Sequence, residues 1–241
     1  MKGTWGWGCP PYHSRIIVNE ERRFLYCPIP KAANTAWKAT LLGPNRPSDP
    51  KQLHNRDVGF IYLSELSHEK WVAIRDRLFK FTFVRDPYSR LLSAFKDKFE
   101  NLSTSADRPG RDPFWLKYGA KLKRDAHEVG VAENNGPDLT FNEFVRVVCR
   151  MTPKTMNEHW HPQALLACVG EIKYDFIGHF ERLDRDVPMA LANLGVDSFP
   201  TLQDMRWRPT NALDLVDNYY NPELRELVRQ KYDVDFRAFD Y

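Results

Sequence analysis

Two short stretches of the chain carry side chains that could hold an anion. The first is Pro30-Lys31-Ala32-Ala33-Asn34-Thr35-Ala36-Trp37. Small residues at Ala32 and Ala33 let the backbone come close to a phosphate, Thr35 offers a hydroxyl, and Lys31 supplies a mobile positive charge. A cation at a helix start opposes the dipole unless an anion is bound, which favours a ligand at Lys31 over a solvated surface lysine. The second stretch is Arg85-Asp86-Pro87-Tyr88-Ser89-Arg90. The planar fork of Arg85 can grip a phosphate through two hydrogen bonds, and Ser93, further along the same helix, can add a hydroxyl. A ligand with phosphates at both ends of an adenosine would use both stretches, whereas ATP would leave the second without a purpose. Either stretch alone also reads as an ordinary strand-to-helix connection.

The flanking residues predict the elements that position them. Ile16-Ile17-Val18 and Phe24-Leu25-Tyr26-Cys27 are apolar runs separated by Asn19-Glu20-Glu21, which suits two strands and a turn. From Asn34 onward Ala36, Trp37, Thr40 and Leu41 recur at helical spacing until Gly43-Pro44. The same order returns at Phe79 to Val84, followed by a helix whose Tyr88, Leu91, Leu92, Phe95 and Phe99 form one apolar stripe. Two strand-loop-helix units imply an α/β fold with a central parallel sheet flanked by helices. Residues 101–138 are rich in charge, Gly and Pro and read as a long surface excursion. Phe141 to Val148 suits a buried helix and Tyr174 to Phe180 a strand. A helix is expected after Asp186, ending at Gly195, and another from Pro222 to Tyr232.

A length of 241 residues with 42% hydrophobic content supports one substantial core, so residues 1–241 read as a single domain. The formal net charge of +3 does not mark a nucleic-acid binder, although 35 Lys and Arg can still build a local basic pocket. Cys9, Cys27, Cys149 and Cys168 lack the close pairing of a metal site. Four buried thiols are expected, with two disulfides as the alternative. Asn101-Leu102-Ser103 matches a glycosylation acceptor, a short pattern that arises often by chance. No apolar run has the length of a bilayer span, and Met1 to Pro11 lacks the order of a signal peptide. A soluble chain follows, cytoplasmic if the chain is complete.

Read in order, several segments resemble the carbohydrate sulfotransferase family that includes the HNK-1, chondroitin 4-O and dermatan 4-O sulfotransferases. Tyr26-Cys27-Pro28-Ile29-Pro30-Lys31 with Asn34-Thr35-Ala36-Trp37-Lys38 is similar to the family's 5'-phosphosulfate loop. Phe83-Val84-Arg85-Asp86-Pro87 through Ser93-Ala94-Phe95 with Lys98-Phe99 resembles its 3'-phosphate segment. Thr140 to Val145, Glu158-His159-Trp160 with Pro162, Ile172 to Gly178, and Tyr232 to Phe236 with Phe239 and Tyr241 are further matches. The resemblance implies a P-loop-like sulfotransferase fold, with 3'-phosphoadenosine-5'-phosphosulfate (PAPS) as donor, PAP as product and no metal. It places the 5'-phosphosulfate on Lys31, Ala32, Ala33, Asn34, Thr35, Ala36 and Trp37, and the 3'-phosphate on Arg85 and Ser93. The family sits behind a Golgi membrane anchor, so an excised catalytic domain of the Golgi lumen is the alternative to a cytoplasmic protein. The expected acceptor is a carbohydrate hydroxyl, with a small-molecule hydroxyl or amine as the alternative. A P-loop kinase or NTPase is disfavoured because the first loop lacks Gly-Lys-Ser/Thr. A non-catalytic glycan- or nucleotide-binding module is the third class.

Sulfuryl transfer calls for a cation at the departing phosphate and a proton acceptor at the attacking hydroxyl. Lys31 fits the first role. Among seven histidines, His159 is the expected base because it lies in a family-like segment outside any strong apolar periodicity, with Glu158, His161 and His54 in reserve. Trp160, Trp115, Tyr118 and Trp207 offer sugar-stacking faces, although core packing is the commoner use of such residues. Lys117, Lys121, Lys123 and Arg124 could meet an acidic glycan or simply form a solvated face, and Arg206 and Arg208 are similarly basic.

Overall fold

A computed structural model describes residues 10–100, 114–133, 138–196 and 210–241. In chain order the elements are strands β1 (Ile17–Asn19) and β2 (Phe24–Cys27), helix α1 (Asn34–Leu42), strand β3 (Ile61–Tyr62), helix α2 (His68–Ile74) and strand β4 (Phe79–Val84). Helices α3 (Pro87–Phe95), α4 (Ala120–Glu128), α5 (Phe141–Arg150) and α6 (Gln163–Leu166) follow. Strand β5 (Phe176–His179) and helices α7 (Leu183–Leu194), α8 (Pro222–Lys231) and α9 (Asp233–Phe239) come next, and short helical turns, among them Pro10–His13 and Val216–Tyr219, lie between these elements and before them. No helix among the described residues is long and apolar enough to cross a membrane. The chain divides into two compact units, Met1–Arg85 with Gln163–Trp207 and Asp86–Pro162 with Arg208–Tyr241.

The first unit is built on a five-stranded sheet of order β3-β1-β2-β4-β5. β2, β4 and β5 run parallel, with Tyr26 opposite Phe81 and Phe81 opposite Phe176. β1 is antiparallel to both its neighbours, so the expected parallel core carries an antiparallel margin and the sheet is mixed. Chain length decides this. The β1–β2 turn is closed by Asn19 Oδ1 accepting from the Arg22 N–H, and so short a link permits only a hairpin, because a parallel crossover needs a dozen or more residues. The link from β2 to β4 is long enough, and contains α1 and α2.

Helices cover both faces of that sheet. On one, the Trp37 ring of α1 packs 4.7 Å from that of Phe83 and edge-on 5.1 Å from that of Phe81, beside Tyr26 and Leu183, Val187 and Ala190 of α7. On the other, Ile74 of α2 and Leu166 of α6 pack with Leu25, Cys27 and Ile29. β4 is buried from Phe81 to Val84, as a parallel strand covered on both faces must be. Helix α7 begins at Leu183, before the expected Asp186, which is instead buried and accepts the His179 N–H at 2.8 Å. It ends at Gly195, whose φ of 61° is the left-handed turn that glycine makes without steric cost.

The second unit is helical. Leu91, Leu92, Phe95 and Phe99 face inward as their spacing predicts, meeting Phe144 and Val148 of α5, Leu224 and Val228 of α8, and Phe236 of α9. Thr140 caps α5 in a capping box with Glu143. The surface excursion expected over 101–138 is corrected where residues are described: a π-helical stretch over Trp115–Gly119 runs into α4. Trp115, Gly119, Leu122 and Ala126 keep a helical 4-3-4 spacing, which the charged residues between them obscured. Lys123 turns inward to a buried ion pair with Glu143 at 2.6 Å, while Lys121 pairs with Asp125 and Lys117 and Arg124 are exposed. Breaking a buried pair costs about 3–5 kcal/mol against 0–1 for an exposed one, so Lys123 holds the fold. Cys27 and Cys168 are buried thiols and Cys149 a half-buried one. Cys9, Asn101 to Ser103, Arg206, Trp207 and Arg208 lie outside the described residues.

Gly178 fixes the β4–β5 spacing, because a Cβ there would lie 2.3 Å from the Phe83 ring. Gly178→Ala is expected to destabilise the protein by about 1–3 kcal/mol, the usual cost of overpacking. A melting temperature equal to that of the parent, read by circular dichroism, would contradict this packing.

Candidate functional site

The Lys31 loop leaves the end of β2, where Thr82 Oγ1 donates to the Cys27 carbonyl at 2.8 Å. Two non-glycine residues in it take left-handed backbone: Lys31 with φ 71° and Ala33 with φ 58°. Left-handed residues next to helical ones turn successive N–H groups toward one concavity, an anion-binding nest. Ala33 is also the N-cap of α1 and makes no side-chain cap, whereas Ser67, Asp86, Thr140 and Asn221 each cap their helices. The first N–H groups of α1 have no intrahelical acceptor and carry the positive end of the helix dipole. Asn34 Oδ1 is buried without a hydrogen-bond partner among the described residues, and Thr35 Oγ1 lies 3.3 Å from His54 Nε2. The arrangement fits a phosphate or sulfate group. Ala32, Ala36 and Trp37 are buried, and the Trp37 indole belongs to the aromatic core, where it anchors the helix carrying the loop.

Arg85 follows β4 and is 4% exposed. Its backbone is gripped by one side chain: Gln163 Oε1 accepts the Arg85 N–H at 2.9 Å and Gln163 Nε2 donates to the Arg85 carbonyl at 2.7 Å. This extends the pairing of β4 by one residue. The guanidinium lies over the Phe180 ring at 4.2 Å and donates to the Lys31 carbonyl at 3.2 Å. Arg85 and the Lys31 loop, found separately in the sequence, are thus in direct contact. Gln163 and Phe180 had no signal of their own, since neither occupies a motif with Arg85.

Ser93 and His159 belong to the second unit. Ser93 is buried, with its hydroxyl accepting from Thr210 Oγ1 at 3.1 Å. His159 is half-buried, and Asn157 Oδ1 receives both its backbone N–H at 3.0 Å and its Nδ1 at 2.7 Å. With Nδ1 as donor, Nε2 keeps its lone pair, the tautomer a base requires. Buried Arg90 holds this segment by donating to the carbonyls of Glu158 at 2.9 Å and His161 at 2.8 Å, and the Tyr232 hydroxyl donates to the Trp160 carbonyl. Of the reserve groups, Glu158 is half-buried, His161 is buried with Nδ1 3.1 Å from the Pro162 carbonyl oxygen, and His54 is exposed. Trp160 and Trp115 are buried core residues, and half-buried Tyr118 packs on Trp160, so packing absorbs these three candidate stacking faces.

Residues 14–241 match the sulfotransferase family, and the chain belongs to it. Its relatives are more specific. It is 37% identical to carbohydrate sulfotransferase 14 of Danio rerio over 243 residues, covering 94% of this chain and 62% of that protein. Identity to the Mus musculus protein of the same name is 35% over 239 residues, covering 94% and 60%. Carbohydrate sulfotransferase 10 of Xenopus laevis is 30% identical over 254 residues, covering 94% of this chain and 67% of that protein. The chain thus spans 62% and 60% of the first two relatives, less than two thirds of either. No solved structure gives a significant match.

Gln163→Leu keeps the side-chain bulk and removes both hydrogen bonds to Arg85. The expected loss is roughly 2–3 kcal/mol of stability, about 1 kcal/mol or more for each buried bond. Unfolding in urea that matches the parent would mean the clamp contributes nothing.

Proposed function

We propose that this chain transfers a sulfuryl group from PAPS to a carbohydrate hydroxyl and releases PAP. The observation carrying the proposal is the contact between Arg85 and the Lys31 carbonyl, which joins two anion-seeking loops at one end of the parallel strands β2 and β4. Family membership and the names of the relatives support the reaction class and the kind of acceptor. The family match runs through both units, which supports reading 1–241 as one functional domain.

In this reading the N–H groups of the loop, with Asn34 and Thr35, orient the 5'-phosphosulfate, while Arg85 and Ser93 take the 3'-phosphate. Ala32 and Ala33 admit the ligand close to the backbone, and Ala36 and Trp37 hold the helix. The transferred sulfur exchanges its bond to the phosphate oxygen for one to the acceptor oxygen. In a loose, in-line transition state negative charge gathers on the departing phosphate oxygen, and Lys31 meets it. His159 Nε2 receives the hydroxyl proton, with Asn157 holding the ring in the required tautomer.

Two measurements test the proposal. Adenosine 3',5'-bisphosphate should raise the melting temperature more than ATP, because a ligand that binds only the folded state stabilises it. Stabilisation by ATP alone would favour a kinase instead. Lys31→Ala is expected to keep the parent's melting temperature while turnover in a labelled-sulfate assay falls by about a hundredfold or more, as when a group stabilising transition-state charge is removed. Near-parental turnover would remove Lys31 from the chemistry.

A further inference from the structure

A cavity of about 200 Å³ lies within the first unit, on the sheet face covered by α2 and α6. Its apolar lining is Leu63, Ile172 and the half-buried Trp71 ring of α2, all packed in the cluster on that face. A cavity of about 150 Å³ holds one benzene ring, so this one has room for a ring and a small substituent. Lys80, the second residue of β4, also lines it. Arg85 comes five residues later, roughly 16 Å away at the rise of a parallel strand. The cavity therefore belongs to the opposite end of β4 from the contact between Arg85 and Lys31.

Its walls are held in place by hydrogen bonds. Lys80 Nζ donates to the carbonyls of Arg75 at 3.2 Å and Leu78 at 2.9 Å and pairs with Asp175 at 3.2 Å, so its charge and its donors are committed. The Lys80 N–H donates to the Asp175 carboxylate at 2.8 Å and the Asp175 N–H to the Lys80 carbonyl at 2.8 Å, which fastens the segment before β5 to β4. Glu171 and Ile172 of that segment both donate their N–H groups to the Cys168 carbonyl at 3.0 Å. A cavity built this way changes little on binding, which lowers the ordering cost of a ligand.

Two further cations line the cavity and are not committed. The Arg75 guanidinium makes no hydrogen bond among the described residues: its Nε is buried without an acceptor, and the nearest carboxylate oxygen, Asp76 Oδ1, is 3.6 Å away on a side chain 85% exposed. Exposed Lys173 makes no hydrogen bond or ion pair among the described residues. On the acidic side Glu171 lies 3.9 Å from His13, whose imidazole pKa is lowered more by burial than Glu171 raises it, so His13 adds no charge at neutral pH. Asp76 and Glu171 oppose a multiply charged anion, whereas one carboxylate matches the Arg75 fork and the Lys173 ammonium. We propose that this cavity binds a small aromatic monocarboxylate, with its ring against Trp71, Leu63 and Ile172 and its carboxylate on Arg75 and Lys173. The site stands apart from the donor loops and does not depend on the function proposed above.

Benzoate is the probe. In 15N-labelled protein the indole N–H resonance missing from Trp71→Phe identifies Trp71, and benzoate should shift it saturably, with a dissociation constant on the order of 1 mM for so small a ligand. Benzamide keeps the ring without the charge, and inorganic phosphate has charge without the ring. Each should bind about tenfold more weakly than benzoate, or weaker still. Benzoate affinity should also fall about tenfold in Arg75→Met, the effect of one lost charge contact, and less in Lys173→Met. A Trp71 resonance that benzoate leaves unmoved overturns the proposal, as does benzamide or phosphate binding as tightly as benzoate. Parental affinity in both variants overturns it as well. So does displacement of benzoate by adenosine 3',5'-bisphosphate, which would place the carboxylate at the donor loops instead.

Discussion

The Pro30–Trp37 loop keeps Lys31 and Ala33 in left-handed backbone, at a cost of order 1–3 kcal/mol each for residues that are not glycine. The surroundings hold them there. Ala32 is fully buried and donates its N–H to the Ile29 carbonyl, Trp37 is locked among Phe81, Phe83 and Tyr26, and Arg85 fastens on the Lys31 carbonyl. What this conformation yields is a helix start whose N-cap residue, Ala33, makes no side-chain cap. Within the first unit, Arg85 and the Lys31 loop meet at that helix start.

Buried cations show how differently the fold treats equal charges. Lys123 is neutralised by Glu143 and ties α4 to α5. Arg90 spends its donors on main-chain carbonyls and fixes the segment bearing His159. Arg85 rests on an aromatic ring and one carbonyl, and its backbone is fixed by Gln163. Lys38 is buried in α1, and burial pushes its ammonium down to about 8. Where these cations tie elements together, the counter-group is a carboxylate or a main-chain carbonyl.

His159 illustrates positioning through the main chain. Its ring is set by a residue two positions earlier, Asn157, and the carbonyls around it are held by Arg90 and Tyr232 from distant parts of the sequence. The neighbouring Trp160 is committed to the core. A stretch dense in chemically capable residues is therefore divided, one ring half-buried and oriented by Asn157 and the next spent on packing.

Local pattern determined much of this protein. Strand-loop-helix punctuation placed the Lys31 and Arg85 loops, the apolar stripe from Leu91 to Phe99 marked a buried helix face, and Gly195 marked a helix end, because each follows from residues a few positions apart. The charged residues from Lys117 to Glu128 hid the 4-3-4 spacing of Trp115, Gly119, Leu122 and Ala126. The antiparallel margin of the sheet depended on a link too short to cross over. Only the tertiary structure decided that Gln163, 78 residues away, would clamp Arg85 and that Arg85 would reach Lys31. Those are meetings of residues remote in sequence, fixed by the packing of the sheet and its helices, and no periodicity or motif encodes which partners will meet.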